Sequence, residues 1–243
     1  MPKVLKMKDI SDDFTIDKGL LPKVPFRGIL CGKSGSGKTS ALGSMLLLPE
    51  FYLNDFTGDN IYIFSPLKND FKMETIIAVK DIPDGNITTD FDDDILGMIY
   101  DKLVEEFDRD IKLNNNPPHK LIILDDLSFS GVFTSGRFNN ISRVFCNGRK
   151  QNISIILTTQ LYTHILPVCR ENASFLIMYN TSLKQLESVA EEWNYLNTKK
   201  AFITMFRQNV KQKHDFLVIN HSSKMENMYL DKDFEPIKKI TEK

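Results

Sequence analysis

The chain has 243 residues, 42% of them hydrophobic and 26% charged, with a formal net charge of -1, which matches an ordinary soluble globular protein and excludes a surface that is basic throughout. No apolar run approaches the roughly 20 residues of a membrane-spanning helix, and the first 20 residues mix Lys with Asp where a signal peptide is apolar, so a soluble intracellular protein with no integral membrane segment is expected. The length supports one α/β domain, expected over 21–233, between an N-terminal arm at 1–20 and a C-terminal tail at 234–243.

In chain order, the first element is a predicted strand at 26–31, apolar on both faces as a buried parallel strand is. It runs directly into Gly32, Lys33, Ser34, Gly35, Ser36, Gly37, Lys38, Thr39 and Ser40, which fits G-x-x-x-x-G-K-[ST] between a strand and a helix. Each part of that loop has a task toward a nucleotide. Glycines let backbone N–H groups wrap phosphates, Lys38 reaches the β and γ phosphates of ATP, and the Thr39 hydroxyl binds Mg²⁺. A helix at 39–48 follows and is stopped by Pro49.

A second strand is predicted at 60–65, then a strongly acidic stretch from Asp81 to Asp110. Within it Ile95, Ile99, Leu103, Phe107 and Ile111 recur every fourth residue, predicting a helix with that stripe in the core, ended by Asn114 to Pro118. The third strand, 120–125, runs into Asp125 and Asp126. An apolar strand ending in acid suits Mg²⁺ held by Asp125, and Asp126 would then orient or deprotonate the attacking water. The loop at 128–140, with Gly, Ser, Phe and Arg137, is a candidate for contact with phosphates.

The fourth strand, 153–159, ends at Gln160, placed to sense the γ-phosphate or hold the lytic water at the ligand edge of a parallel sheet. A fifth follows at 174–180, then a helix with Leu183, Leu186, Ala190 and Trp193 on one stripe and Ser182 with Gln185 as a capping box. From Trp193 to His214 there is no acid among Lys199, Lys200, Arg207, Lys211 and Lys213, a candidate phosphate-facing surface. Segments 215–220 and 228–230 predict a small hairpin. Cys31, Cys146 and Cys169 show no CxxC spacing and read as reduced structural thiols.

The run from Phe145 through Asn147, Gly148, Arg149, Lys150 and Gln151 to Thr159 and Gln160, together with the strand before the P-loop and the Asp125, Asp126 pair, resembles the poxvirus-type DNA-packaging ATPases of the FtsK and HerA superfamily. The similarity spans about residues 24–220; family members commonly carry His where this chain has Lys150. The resemblance implies a RecA-like P-loop NTPase fold of the additional-strand, catalytic-acid type: a central, mostly parallel sheet flanked by helices, with an extra strand between the P-loop and acid strands. It also implies a homo-oligomeric ring, pentamer or hexamer, around double-stranded DNA, with viral capsid or membrane components as further partners and the host cytoplasm, viral factory or virion as the setting. An arginine supplied across the subunit interface is implied too; Arg149 is the first candidate, Arg143 and Arg170 the next. A helicase or conjugation-type pump shares this core and stays open, as do a small-molecule P-loop kinase and an ATP-binding assembly module.

Overall fold

The computed structural model describes residue 5, residues 10–66, 70–126 and 139–237, apart from the side chains of residues 10 and 11. The chain forms one eight-stranded sheet in the order β3-β2-β4-β5-β1-β6-β7-β8. Its strands are β1 (Arg27–Cys31), β2 (Ile61–Phe64), β3 (Ile87–Thr88), β4 (Lys120–Leu124), β5 (Ile153–Thr159), β6 (Phe175–Tyr179), β7 (Phe216–Asn220) and β8 (Tyr229–Leu230). Pairing is parallel from β3 through β6, and antiparallel where β7 joins β6 and β8 joins β7. The β7–β8 pair is the hairpin read from the sequence. β5 stands between the P-loop strand β1 and the acid strand β4, the position of the additional strand.

Helices α1 (Lys38–Leu47), α2 (Phe71–Lys80), α3 (Asp93–Lys112), α4 (Asn140–Asn147), α5 (Pro167–Asn172), α6 (Leu183–Glu192) and α7 (Lys199–Asn209) surround the sheet. The inner parallel strands are buried on both faces and divide the apolar interior in two. One cluster holds Ile29, Ile122, Ile155, Leu103, Phe145 and Trp193, the other Leu30, Leu42, Ile63, Ile123, Ile156 and Ile177. Neighbouring residues of one strand thus serve opposite layers, as the period of two requires.

Gly28 marks how tightly β1 is held. A Cβ there would lie 2.2 Å from the Phe175 ring, itself packed edge-on against Phe26. Gly28→Ala should therefore lower stability by roughly 1–3 kcal/mol through overpacking, read as a lower melting temperature. An unchanged melt would mean that β6 is looser than this geometry.

Two helix readings are corrected. In α3 the core face is Leu96, Gly97, Tyr100, Leu103 and Phe107, whereas Ile95, Ile99 and Ile111 are only partly buried. A strict every-fourth-residue row drifts by about 40° per step and winds off the core; alternating steps of four and three stay on it. In α6, Leu183 is exposed and Val189 takes its place inside. Ser182 caps the helix by accepting from the Gln185 backbone N–H, but the Gln185 side chain bonds the Thr163 backbone N–H and hydroxyl instead of reaching back. The box is half made because a tertiary partner competes for its glutamine.

The N-terminal segment lies on the domain: Ile16 bridges Val24, Leu20 and Leu21 pack against the core, and Asn220 Nδ2 donates to the Leu20 carbonyl. No described helix is long and apolar enough to cross a membrane. The expected DNA loop, including Arg137, lies outside the described residues except for Asn139 and Asn140.

Candidate active site

All parallel strands end at one edge of the sheet, and the register brings particular ends together. Cys31 is level with Thr159, Leu30 with Thr158, and Phe64 with Leu124. The residues that follow, Gly32, Ser65, Asp125 and Gln160, therefore share that edge, where ligands of open α/β sheets bind.

The P-loop is tied to this edge from both sides. The Gly32 N–H donates to the Thr159 carbonyl at 3.0 Å. A Cβ on Gly32 would meet Tyr179 Cβ at 2.6 Å and Ser36 Oγ at 2.7 Å, so only glycine fits. Gly35 and Gly37 have φ of 69° and 112°, the left-handed region that glycine adopts without steric cost. Gly37 is also the N-cap of α1, so the first N–H groups of that helix open into the loop. Two outer contacts hold the loop carbonyls: the Tyr179 hydroxyl donates to Gly37 O, and His214 Nδ1 sits against Ser36 O, both at 3.0 Å.

Lys38, only 8% exposed, folds back over this loop, donating from Nζ to Gly32 O at 2.7 Å and to Lys33 O at 3.3 Å. Thr39 is partly buried and Ser40 exposed in the first turn of α1, where Ser40 Oγ accepts from Lys72 Nζ at 2.7 Å. Lys33, Ser34 and Gly35 are exposed at the crest of the loop.

The acids sit opposite. Asp125 is 2% exposed and accepts from Thr158 Oγ1 at 2.6 Å and from Ser65 Oγ at 3.2 Å. Burial raises its pKa above the usual carboxylate value; the two hydroxyls oppose that shift, Asp126 adds to it, and the nearby Lys38 ammonium opposes it. Asp125 is thus a buried carboxyl oriented by two hydroxyls, an oxygen donor of the kind a divalent cation takes. Asp126 follows at φ 44°, a left-handed conformation that Asp tolerates better than most residues. Its backbone N–H donates to Thr158 Oγ1 at 2.9 Å, and Gln160 Nε2 donates to its carboxylate at 3.0 and 3.4 Å.

The candidates for nucleotide chemistry are brought together, then, through a hydrogen-bonded bridge from the end of β4 to the end of β5. Thr158, which carries no role in the sequence reading, is the hinge of that bridge. Ser65, Tyr179 and His214 were missed as well. Of these, only Ser65 carried a signal, as the polar residue that ends an apolar strand.

Arg149 is not among this group. It is exposed in a 3-10 turn, Gly148–Gln151, before β5. The seven residues of β5 put about 20 Å between its ends, so within one subunit Arg149 lies at the edge of the sheet away from Gln160. Arg143 pairs with Asp101 at 2.6 Å and lies over the Tyr100 ring. Arg170 pairs with Glu192 at 3.2 Å and lies over Tyr162. Of the three candidates, Arg149 alone has no carboxylate partner recorded among the described residues.

The buried cysteines read as structural. Cys31 and Cys169 are buried free thiols whose pKa is pushed up to about 12 by burial, which removes them as nucleophiles. Among the described residues, no cluster of three or more His, Cys, Asp or Glu side chains suits a metal.

The model of the family described as Poxvirus A32 protein matches residues 13–239. The DNA packaging protein OPG160 of Variola virus is 26% identical over 207 residues, covering 84% of this chain and 72% of that protein. Among solved structures, the genome packaging NTPase B204 from Sulfolobus turreted icosahedral virus 2, in complex with ATP-gammaS, superposes with a TM-score of 0.58 at 16% identity, over 88% of this chain and 98% of B204. EssC (ATPases 2 and 3) from Geobacillus thermodenitrificans gives 0.57 at 14% identity, over 85% of this chain and 39% of EssC. These two likenesses are of fold.

Proposed function

Because the chain belongs to the Poxvirus A32 protein family, we propose that it is an ATP-driven double-stranded DNA translocase that packages a viral genome into a preformed capsid. The observation that carries the reading is the bridge of Asp125, Thr158, Asp126 and Gln160 facing a P-loop lysine. A P-loop alone serves kinases and switches equally; an acid pair coupled to a strand-end glutamine is built for hydrolysis.

Lys38 exchanges its two loop carbonyls for β and γ phosphate oxygens when ATP enters, while the N–H groups at the start of α1 bind phosphate. Thr39 and Asp125 would hold Mg²⁺: a hydroxyl and a carboxylate are the hard oxygen donors this ion takes, and the ion's charge would favour the ionised form of Asp125 that burial disfavours. When bound, the ion neutralises charge on the phosphates. Asp126 then orients and deprotonates the attacking water, and Gln160 fixes the carboxylate that does so.

Arg149, exposed at the far edge, suits presentation to a neighbouring subunit, where its charge would stabilise the γ-phosphate in the transition state. That requires a homo-oligomer, here a pentameric or hexameric ring around duplex DNA, with capsid or membrane components beyond it. Exposed Lys199, Lys200, Arg207, Lys211 and Lys213 supply charge for the DNA backbone, although Lys199 is partly satisfied by Glu191. The protein is expected to act in the host cytoplasm or viral factory.

The test of this reading is ATP turnover with and without duplex DNA, on protein whose assembly state is measured in the same buffer. Turnover should rise with duplex DNA in the assembled fraction. Turnover indifferent to DNA, with rings present, would leave an ATPase that is not a DNA motor.

Arg149 has its own test. Arg149→Ala should bind ATP normally yet lose about a thousandfold in turnover. Mixed with Lys38→Ala protein under conditions of subunit exchange, it should regain part of the activity, since some interfaces then pair an intact P-loop with an intact arginine. Well-exchanged mixtures as inactive as both parents would pass the role to Arg143 or Arg170.

A further inference from the structure

The phosphate end of the site has a direction. Asp125, Asp126 and Gln160 lie on the β4 and β5 side of β1, so the γ-phosphate points there and the rest of the ligand leaves toward β6 and β7. On that side is a cavity of about 510 Å³, reached from the P-loop through Gly37 and Ser40. Small-molecule sites run from about 300 to 1,000 Å³.

Four aromatic residues line this cavity, Phe51, Tyr179, Phe216 and Phe234; Tyr179, 1% exposed, backs Phe216 with centroids 5.1 Å apart, and Phe216 and Phe234 lie at 6.1 Å. Two are anchored independently. Tyr179 is fixed by its hydrogen bond to Gly37 O, and Phe234 by packing against Phe51 at 4.9 Å and by its N–H donating to Asp231 O at 3.0 Å. Phe234 keeps this place at φ 61°, a conformation that costs an aromatic residue and calls for surrounding contacts to maintain it. Polar groups complete the lining. His214 bonds the P-loop through Nδ1, and Asp233, in an exposed pair with Lys232 at 3.2 Å, offers a carboxylate of the kind that grips a vicinal diol.

We propose that this cavity receives the nucleoside half of a nucleoside triphosphate, the base against the partly exposed Phe216 and Phe234 rings and the ribose hydroxyls toward Asp233. The C-terminal segment that carries Asp233 and Phe234 is then part of the nucleotide site rather than a dispensable tail. The inference rests on the P-loop reading above and adds to it the residues that distinguish a nucleotide from bare polyphosphate.

The test is calorimetric titration of the full chain with Mg-ATP and, separately, with inorganic tripolyphosphate. The wild type should bind ATP more tightly than tripolyphosphate. Phe234→Ala should weaken ATP about tenfold, the scale of one lost stacking contact with its buried area, and leave tripolyphosphate unchanged. Asp233→Asn, an exposed change that spares the fold, should weaken ATP about threefold with the same selectivity, and it decides the matter if Phe234→Ala disturbs folding. ATP affinities at the wild-type value in Asp233→Asn and in folded Phe234→Ala would overturn the proposal and leave the P-loop reading standing. A wild type that binds neither ligand would overturn both.

Discussion

Lys38→Ala should reduce ATP turnover by about a hundred- to a thousandfold or more, the scale of losing one preorganised charge from a phosphoryl-transfer site. The ammonium is buried over the loop and, among the described residues, bonds the Gly32 and Lys33 carbonyls, so its positive charge is in place before the nucleotide arrives. Neither carbonyl belongs to a strand, so the variant leaves the hydrogen bonds of the sheet intact. The melting temperature should therefore fall by no more than a few degrees while activity disappears. A purified, folded Lys38→Ala protein with full turnover would remove the P-loop from the account.

The second large effect separates the two acids. Asp126→Asn should bind Mg-ATP with nearly wild-type affinity and lose about a hundred- to ten-thousandfold in turnover, because an amide cannot take a proton from water. The geometry favours a clean experiment: Asn tolerates the φ of 44° at this position, and its carbonyl can still accept from Gln160. Asp125→Asn should fail differently. Its carboxylate is positioned by Thr158 and Ser65 and is the proposed Mg²⁺ ligand, so the loss should appear as weakened metal-dependent binding. Titrating ATP with and without Mg²⁺ and measuring single turnovers distinguishes the two. Identical binding defects in both variants, with no stalled complex for Asp126→Asn, would contradict this division of labour.

Much of this arrangement was legible in the sequence because its parts are local. The P-loop is one contiguous run, and β5 ends at the residue its apolar composition marked, Thr159. β1, β2, β4 and β6 differ from their predicted limits by a residue or so at their ends, since both-face burial makes such strands uniformly apolar. The short elements were harder. β3 has two residues and α5 has six, too few for a period to emerge. In α7 the apolar positions Phe202, Met205 and Phe206 follow helical spacing, but the surrounding lysines drew the reading toward surface charge.

What remained illegible is what depends on distant chain meeting. Tyr179 reaches Gly37 across 142 positions and His214 reaches Ser36 across 178, so no local pattern pairs them. The hydrogen bond of Thr158 to Asp125 depends on β5 lying beside β4 in the observed register, Leu157 level with Leu124. Arg149 is the converse case: its place in the order of elements marked it, yet one subunit alone leaves it far from the phosphates. In the proposed ring, its role at the phosphates depends on a neighbouring subunit.

The most direct test of the central claim, that hydrolysis at this site moves duplex DNA, is displacement of a third strand from a DNA triplex by the assembled protein. The wild type should strip the third strand only when ATP is present and hydrolysed, and Asp126→Asn, although it binds ATP, should leave the triplex intact. Rapid, DNA-stimulated hydrolysis with no displacement of the third strand at any duplex length would contradict the account.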